Sequence, residues 1–550
     1  MAEQSRLKRE LLEPGASGVS EAFGATLEAH GLYNTNEFVL RLSPRIHELV
    51  DALTRGDLSG HSIDDLFQAY STFVHETIHW WQHVGSTTGL IYSLSYPALV
   101  TANLQQLADV VRTVGPHKSL RRWAEDYQSR HPGKLPEGLA AANAAVNNAL
   151  DIGFYKRFLH SPLQAPAIFD DSYFESVGHA YRIAYSDTVQ AIIESCDIGE
   201  SVLPDPRSWQ DRFDRLVDAR HENFYHGSPI RRAKVGIHGL FEGQARFTQL
   251  QFLASAGGEK SCASYAGAGQ FDGIYGVAFQ TFLQETGWPW PEQVNDPIVA
   301  LFLLVCDLAI NPTRGIPYDF DSIEDFIIDV DPGARFIRLC GAASTQPELA
   351  TAISTYSDQE YWEVAKALTK PCGYDDPRSA LAEIAAWPDQ DAGIAQLMRE
   401  QASFAYPPAN QPTRVMVSHF IAFSRDKLAN PAFFCWPGAA LAGERATEKT
   451  QALFARHLSL FSDRADTEQI FVRDFPGKPE GAAKTMLDSF YSSLVMYELA
   501  LQWILEDGPF RYEFESLTGR RDNPEMEAWA KRQFVTFFGV DPDNFILDRD

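Results

Sequence analysis

The chain has 550 residues, 45% hydrophobic and 22% charged, with 47 Lys+Arg against 73 Asp+Glu and a formal net charge of −26. This core-forming composition excludes long-range disorder, and the acidic excess excludes a nucleic-acid binder, which needs a basic face to neutralise phosphates. The length exceeds what one ordinary core serves, so several domains or one large helical body are expected.

In chain order, Met1 to Gly15 is polar and carries Arg6, Lys8 and Arg9 without an apolar run behind them, so no secretory signal is expected. Glu37 to Leu42 alternates Phe38, Leu40 and Leu42 with their neighbours, which predicts a strand. Helical periodicity follows at about 63–84, 97–114, 136–159, 172–195, 207–220, 231–255, 273–285, 298–310, 378–387 and 484–506. The fold class expected is therefore mainly α, a large multi-helix protein with a small β component near residues 30–45. It divides into an N-terminal segment 1–60, a helical metal-binding domain 61–315 and a helical C-terminal domain 316–550. The most apolar stretch, Ile298 to Ile310, is short and contains Asp307, so it reads as a buried helix and not a membrane span. Six cysteines lie singly with no CxxC pair, which suggests free thiols in a reducing, cytoplasmic setting.

His75-Glu76-Thr77-Ile78-His79 is the motif that carries chemistry. Ser62 with Asp65 marks the start of its helix and Gly85 a stop, and Ile63, Leu66, Phe67, Tyr70, Phe73, Val74, Ile78 and Trp81 recur at helical spacing between them. Residues four apart on a helix share a face one turn apart, so His75 and His79 can both direct imidazole nitrogens at one ion. Glu76, offset on the same side, can reach a water without ligating the metal. Two imidazoles and one further ligand leave a tetrahedral zinc ion an open position.

The uncharged flanks Thr72-Phe73-Val74 and Trp80-Trp81 make this helix resemble the HExxH zincin metallopeptidases. The metzincin continuation is absent, because Trp80-Trp81-Gln82-His83-Val84-Gly85 follows instead. A gluzincin places a ligand glutamate on a second helix downstream. Gly239-Leu240-Phe241-Glu242-Gly243-Gln244-Ala245-Arg246 resembles the Asn-Glu-Gly-x-Ala segment of several gluzincin aminopeptidases, with Phe241 in place of the Asn. The resemblance implies Zn2+ held by His75, His79 and Glu242, with Glu76 as general base and then proton donor to the leaving amine. His238, one turn before Glu242, is a substitute third ligand or, like His226 or a tyrosine, a transition-state donor. Arg246, one turn after, is expected to orient Glu242.

Other clusters have simpler readings. His47-Glu48-Leu49-Val50-Asp51 is read as a solvated helix face, and Glu175/His179 and Glu222/His226 as i,i+4 surface pairs. Asp307 is read as a structural hydrogen-bonding group, Trp80 and Trp81 as core, and Ala266 to Gly269 as a loop. The resulting expectation is a zinc metallopeptidase, an endopeptidase before an aminopeptidase, cutting an amide bond in a peptide or a specific protein. Neither nucleic acid nor membrane is a partner, and the C-terminal half is available for oligomer or complex formation. Glu76-Thr77-Ile78-His79 is also an ExxH, so an oxygen-activating di-metal helical protein is the alternative, followed by a scaffold with a structural zinc.

Overall fold

The computed structural model describes residues 30–547 except 36, 135–136, 164–167, 200–201, 231–232, 474–480, 515–516 and 518–522. The segment Met1 to Gly15, read from the sequence as carrying no secretory signal, lies outside the described residues. The elements that matter here are β1 (Gly31–Asn34), β2 (Val39–Leu42), α1 (Pro44–Arg55), α2 (Ile63–Val84), α3 (Thr87–Thr113), β3 (His117–Lys118), α4 (Glu137–His160), α5 (Val177–Ser195), α6 (Ile237–Ser255), α7 (Ile274–Thr286), α8 (Pro297–Ala309), α9 (Gln411–Ala429), β4 (Phe461–Arg464), β5 (Thr467–Val472), α10 (Ala482–Leu505) and β6 (Ile546–Leu547). The chain is mainly α with a small β part, and no helix among the described residues is long and apolar enough to cross a membrane.

The β part is less local than its N-terminal position in the sequence suggests. Strands β1 and β2 pair antiparallel, β2 pairs parallel with β4, and β4 pairs antiparallel with β5, giving the order β1-β2-β4-β5. A second small sheet pairs β3 with β6. Phe38 has a positive φ of 60°, so the strand expected from Glu37 begins at Val39. All four residues of β2 are buried, and the expected alternation fails at Arg41. Its guanidinium donates to the Glu468 carbonyl at 2.8 Å and to Glu37 at 3.3 Å, which satisfies a charge on the inner side of the sheet.

Packing crosses the expected boundaries at 60 and 315. One buried apolar cluster contains residues from Tyr33 to Phe545. Helix α9 packs on α2, α3 and α5, and α10 packs on α3 and α4. The C-terminal half thus supplies walls to the helices of the motif.

Helix α2 forms over the expected span, with the Ser62 side chain accepting the Asp65 N–H at 3.1 Å. At its other end Gly85 has φ −95°, so it is not a left-handed stop. A Cβ there would stand 2.6 Å from the Phe423 ring, and the glycine is required for that close approach. Helix α3 starts at Thr87, ten residues before the expected start, and runs through Pro97. The Ser86 side chain caps it by accepting the Gly89 N–H at 2.9 Å. Helix α6 begins at Ile237, later than the periodicity predicts.

Several side-chain readings change. His47 is not on a solvated face: it is buried and bonded to Asp463 of β4 at 2.6 Å. His179 pairs with Asp151 at 3.0 Å and not with Glu175. Glu222 and His226 lie on turns outside any helix, so their i,i+4 pairing does not arise. Of the loop expected at Ala266 to Gly269, Ala266 and Gly267 close the short helix Cys262–Gly267, and Ala268 and Gly269 are turn residues. Asp307 has the structural role expected, accepting from Lys427 at 2.5 Å, Tyr361 at 2.7 Å and Asn311 at 3.2 Å. All six cysteines are buried and free.

Candidate metal centre

Every residue of α2 from Ser71 to Val84 is buried, which an amphipathic surface helix would not be. Two different partners cover it. Trp81 sits among Phe423, Phe433, Phe434 and Phe454, with its indole N–H donating to the His457 carbonyl at 2.7 Å. Trp80 meets Tyr33 and His419 edge-on. Both tryptophans are core residues that clamp the helix. The opposite side, with His75 and His79, packs on α6.

That packing brings together the three residues expected from the sequence. One donor atom each of His75, His79 and Glu242 lies within 4.8 Å of the others, and among the described residues no second group of three His, Cys, Asp or Glu does the same. The Nε2 atoms of His75 and His79 are 3.2 Å apart, and Glu242 Oε2 stands 3.3 Å from the first and 3.6 Å from the second. This oxygen is buried and has no hydrogen-bond partner. Glycines on α6 allow the helix to approach its neighbours on the far side. A Cβ at Gly239 would stand 2.9 Å from Val277 of α7, and one at Gly243 3.4 Å from Phe302 of α8.

Gln82 couples the two ligand helices, a role the sequence reading did not single out. The His79 Nδ1 is 2.8 Å from Gln82 Oε1, an acceptor, so Nδ1 carries a proton and Nε2 is the nitrogen that faces Glu242. The Gln82 amide donates to the Phe241 carbonyl at 3.0 Å and to Gln244 Oε1 at 2.9 Å. Its position three residues after His79, on the same helix face, was the available signal.

Glu76 lies under the backbone of β1, close enough to the ligand cluster for His79 and Glu242 to act on its carboxyl. Its carboxylate accepts the Tyr33 N–H. A Cβ at Gly31 would stand 2.7 Å from both Glu76 Cγ and Oε1. The first strand of the sheet therefore runs directly across the glutamate, and only a glycine fits at the crossing. Burial raises the Glu76 carboxyl to about 7, with His79 opposing the rise. Burial lowers His75 to about 4, whereas Glu242 and Glu76 outweigh burial at His79 and hold it up at about 9. Glu242 is held well below the usual carboxylate range: burial acts to raise it, and the two histidines prevail.

Arg246 does not orient Glu242. Its guanidinium donates to Gln249 at 2.7 Å and Gln270 at 3.0 Å, and lies 4.0 Å over the Tyr275 ring. Tyr275, from α7, was not singled out in the sequence, because nothing local marks one tyrosine among 20. Its ring centroid is 6.1 Å from that of His75 and its phenol is hydrogen-bonded with Arg246. Burial raises the phenol, partly offset by Arg246, so it stays protonated as a donor. His238 is 40% exposed, lies 4.0 Å from Glu242 Oε1 and stacks against His160 with centroids 4.4 Å apart. It flanks the cluster without joining it. His226 is an exposed turn residue and is not in the cluster.

A scan against protein-family models finds no match, and neither does a search of curated proteins or of solved structures.

Proposed function

We propose that the chain is a metallopeptidase that hydrolyses an amide bond in a peptide or protein substrate, with zinc held by His75, His79 and Glu242. The observation that carries this reading is the convergence of Glu242, from a helix far along the chain, on the two histidines of the HExxH helix. Two imidazoles and one carboxylate are the donor set of catalytic zinc, which keeps one position open. The buried Glu242 oxygen without a hydrogen-bond donor, faced by two imidazole nitrogens, suits a cation. When bound, such an ion supplies Lewis acidity, polarising a carbonyl and making water acidic enough to lose a proton near neutral pH.

The protein groups then have distinct tasks. Glu76, buried and held by the Tyr33 N–H, accepts a proton from the attacking water and passes it to the leaving amine. The Tyr275 hydroxyl, on a ring 6.1 Å from that of His75 and beneath the Arg246 guanidinium, is a donor for the developing oxyanion. Gln82 holds the tautomer of His79 and the spacing of the two helices. The six buried free thiols fit a reducing cytoplasm.

The reading is tested on the purified full-length chain by elemental analysis and by mass spectrometry of products from a mixed peptide library. About one zinc per chain is expected, with cleavage that a chelator stops and added zinc restores. Chelator-insensitive cleavage would overturn the reading, and about two iron or manganese ions per chain would favour the di-metal alternative. Gly31→Ala gives a sharper check on Glu76. The added methyl must displace the Glu76 side chain, so turnover is expected to fall by about 10²-fold with metal content unchanged. Wild-type turnover in Gly31→Ala would show that the position of Glu76 does not limit the reaction.

A further inference from the structure

Helix α4 carries a lysine whose setting the metal centre does not explain. Lys156 is only 9% exposed and has neither a hydrogen bond nor an ion pair among the described residues. Its ammonium is held over two aromatic faces, 3.8 Å from the Tyr96 ring centroid and 4.4 Å from that of Tyr92. Those cation–π contacts offset part of the cost of burying a charge, but they provide no counter-ion. A leucine or methionine would fill the same space without that cost.

The lysine lines a cavity of about 420 Å³ between α3, α4 and α10, within the size range of small-molecule sites. Its other charged groups are Glu37, Glu498, Arg511 and Glu513, none of them in an ion pair with Lys156. Arg511 donates to Glu506 at 2.6 Å, Glu37 accepts from Arg41 at 3.3 Å, and Glu498 accepts from Gln502 at 3.4 Å. Phe38, Leu494 and Phe514 give the cavity apolar walls. Burial without a carboxylate partner lowers the Lys156 ammonium to about 7, which fits a cation that nothing in the protein neutralises.

We propose that this cavity binds a ligand with a carboxylate and an apolar body, the carboxylate pairing with the Lys156 ammonium. Of the two cations that line the cavity, Arg511 is paired with Glu506, which leaves the one ammonium of Lys156 to match a monocarboxylate. A phosphate dianion would call for more donors than one ammonium provides. The ligand is either a free amphiphilic carboxylate or the C-terminal carboxylate of a polypeptide, since both present the same group.

The test is calorimetric titration of the unmodified full-length chain with 3-phenylpropionate and with its neutral amide. The acid is expected to bind one per chain and the amide about tenfold or more weakly. Because carboxylates also bind metal ions, the titration is repeated on His79→Ala, where the acid is expected to bind as before, and on Lys156→Met, where the preference for the acid is expected to vanish. Gly-Gly-Phe and its C-terminal amide form the second arm: tighter binding of the tripeptide acid than of phenylpropionate identifies a polypeptide terminus, and the reverse a free carboxylate. Equal binding of acid and amide, no binding of either acid, or binding lost in His79→Ala but kept in Lys156→Met would each overturn the proposal. The comparison of acid with amide on the unmodified chain holds even if Lys156→Met does not fold.

Discussion

Glu76→Gln is expected to lower peptide hydrolysis by about 10²- to 10⁴-fold while zinc content and thermal stability stay near those of the unmodified chain. The glutamine has the same shape, so it fits under Gly31, and its amide oxygen can still accept the Tyr33 N–H. What it cannot do is take a proton from water. Stability should not suffer, because the substitution removes a carboxylate whose burial is already unfavourable enough to raise it to about 7. The measurement is turnover beside elemental analysis and a melting curve. Activity retained at a tenth of wild type or more would remove Glu76 from the role of general base.

Glu242→Ala is expected to lose the metal, with zinc affinity falling by roughly 10²-fold or more because a ligand is removed outright and not merely reoriented. His238→Ala serves as the contrast. Its Nε2 lies 4.0 Å from Oε1 of the glutamate, not from the Oε2 that meets His75 and His79, and its ring is 40% exposed, so zinc should stay bound. Competition with a chromogenic chelator measures both. If His238→Ala loses zinc and Glu242→Ala retains it, the third ligand is the histidine and the donor set proposed here is wrong. Melting curves separate metal loss from unfolding, since among the described residues Glu242 makes no other ion pair than those with the three histidines.

The two variants divide the centre along a line that the sequence reading drew only in part. The HExxH helix was legible because every signal for it is local: Ser62 at its start, apolar residues at helical spacing, and two histidines one turn apart. Glu242 was legible as a candidate because it belongs to a short polar stripe, His238, Glu242 and Arg246, on an apolar helix. The stripe was read as one unit, and the fold takes it apart. Glu242 turns to the histidines, His238 stacks on His160, and Arg246 reaches past them to Gln249, Gln270 and Tyr275. Helical spacing tells which residues share a face, but not which neighbour each meets across it.

The β component shows the same limit. Short strands at 461–464 and 467–472 carry little pattern of their own, and the parallel pairing of β2 with β4 joins segments far apart in the chain. No periodicity within a window registers such a pairing. Beyond the boundary expected near 315, α9 and the aromatic residues after it form the wall behind Trp81, a contact between segments far apart in the chain.

By itself, then, the sequence determined the mainly helical class, the buried HExxH helix and the chemical types able to bind a metal, because composition and residues within a turn or two suffice for those. Only the tertiary structure decided that Glu242 meets the two histidines, that Gly31 and Tyr33 lie across Glu76, that Tyr275 stands beside His75, and that Lys156 faces a cavity without a counter-ion. Each of these is a contact between segments that local pattern leaves independent. Burying apolar faces against one another set their approach, and the polar groups carried along with them had to find partners where that packing left them.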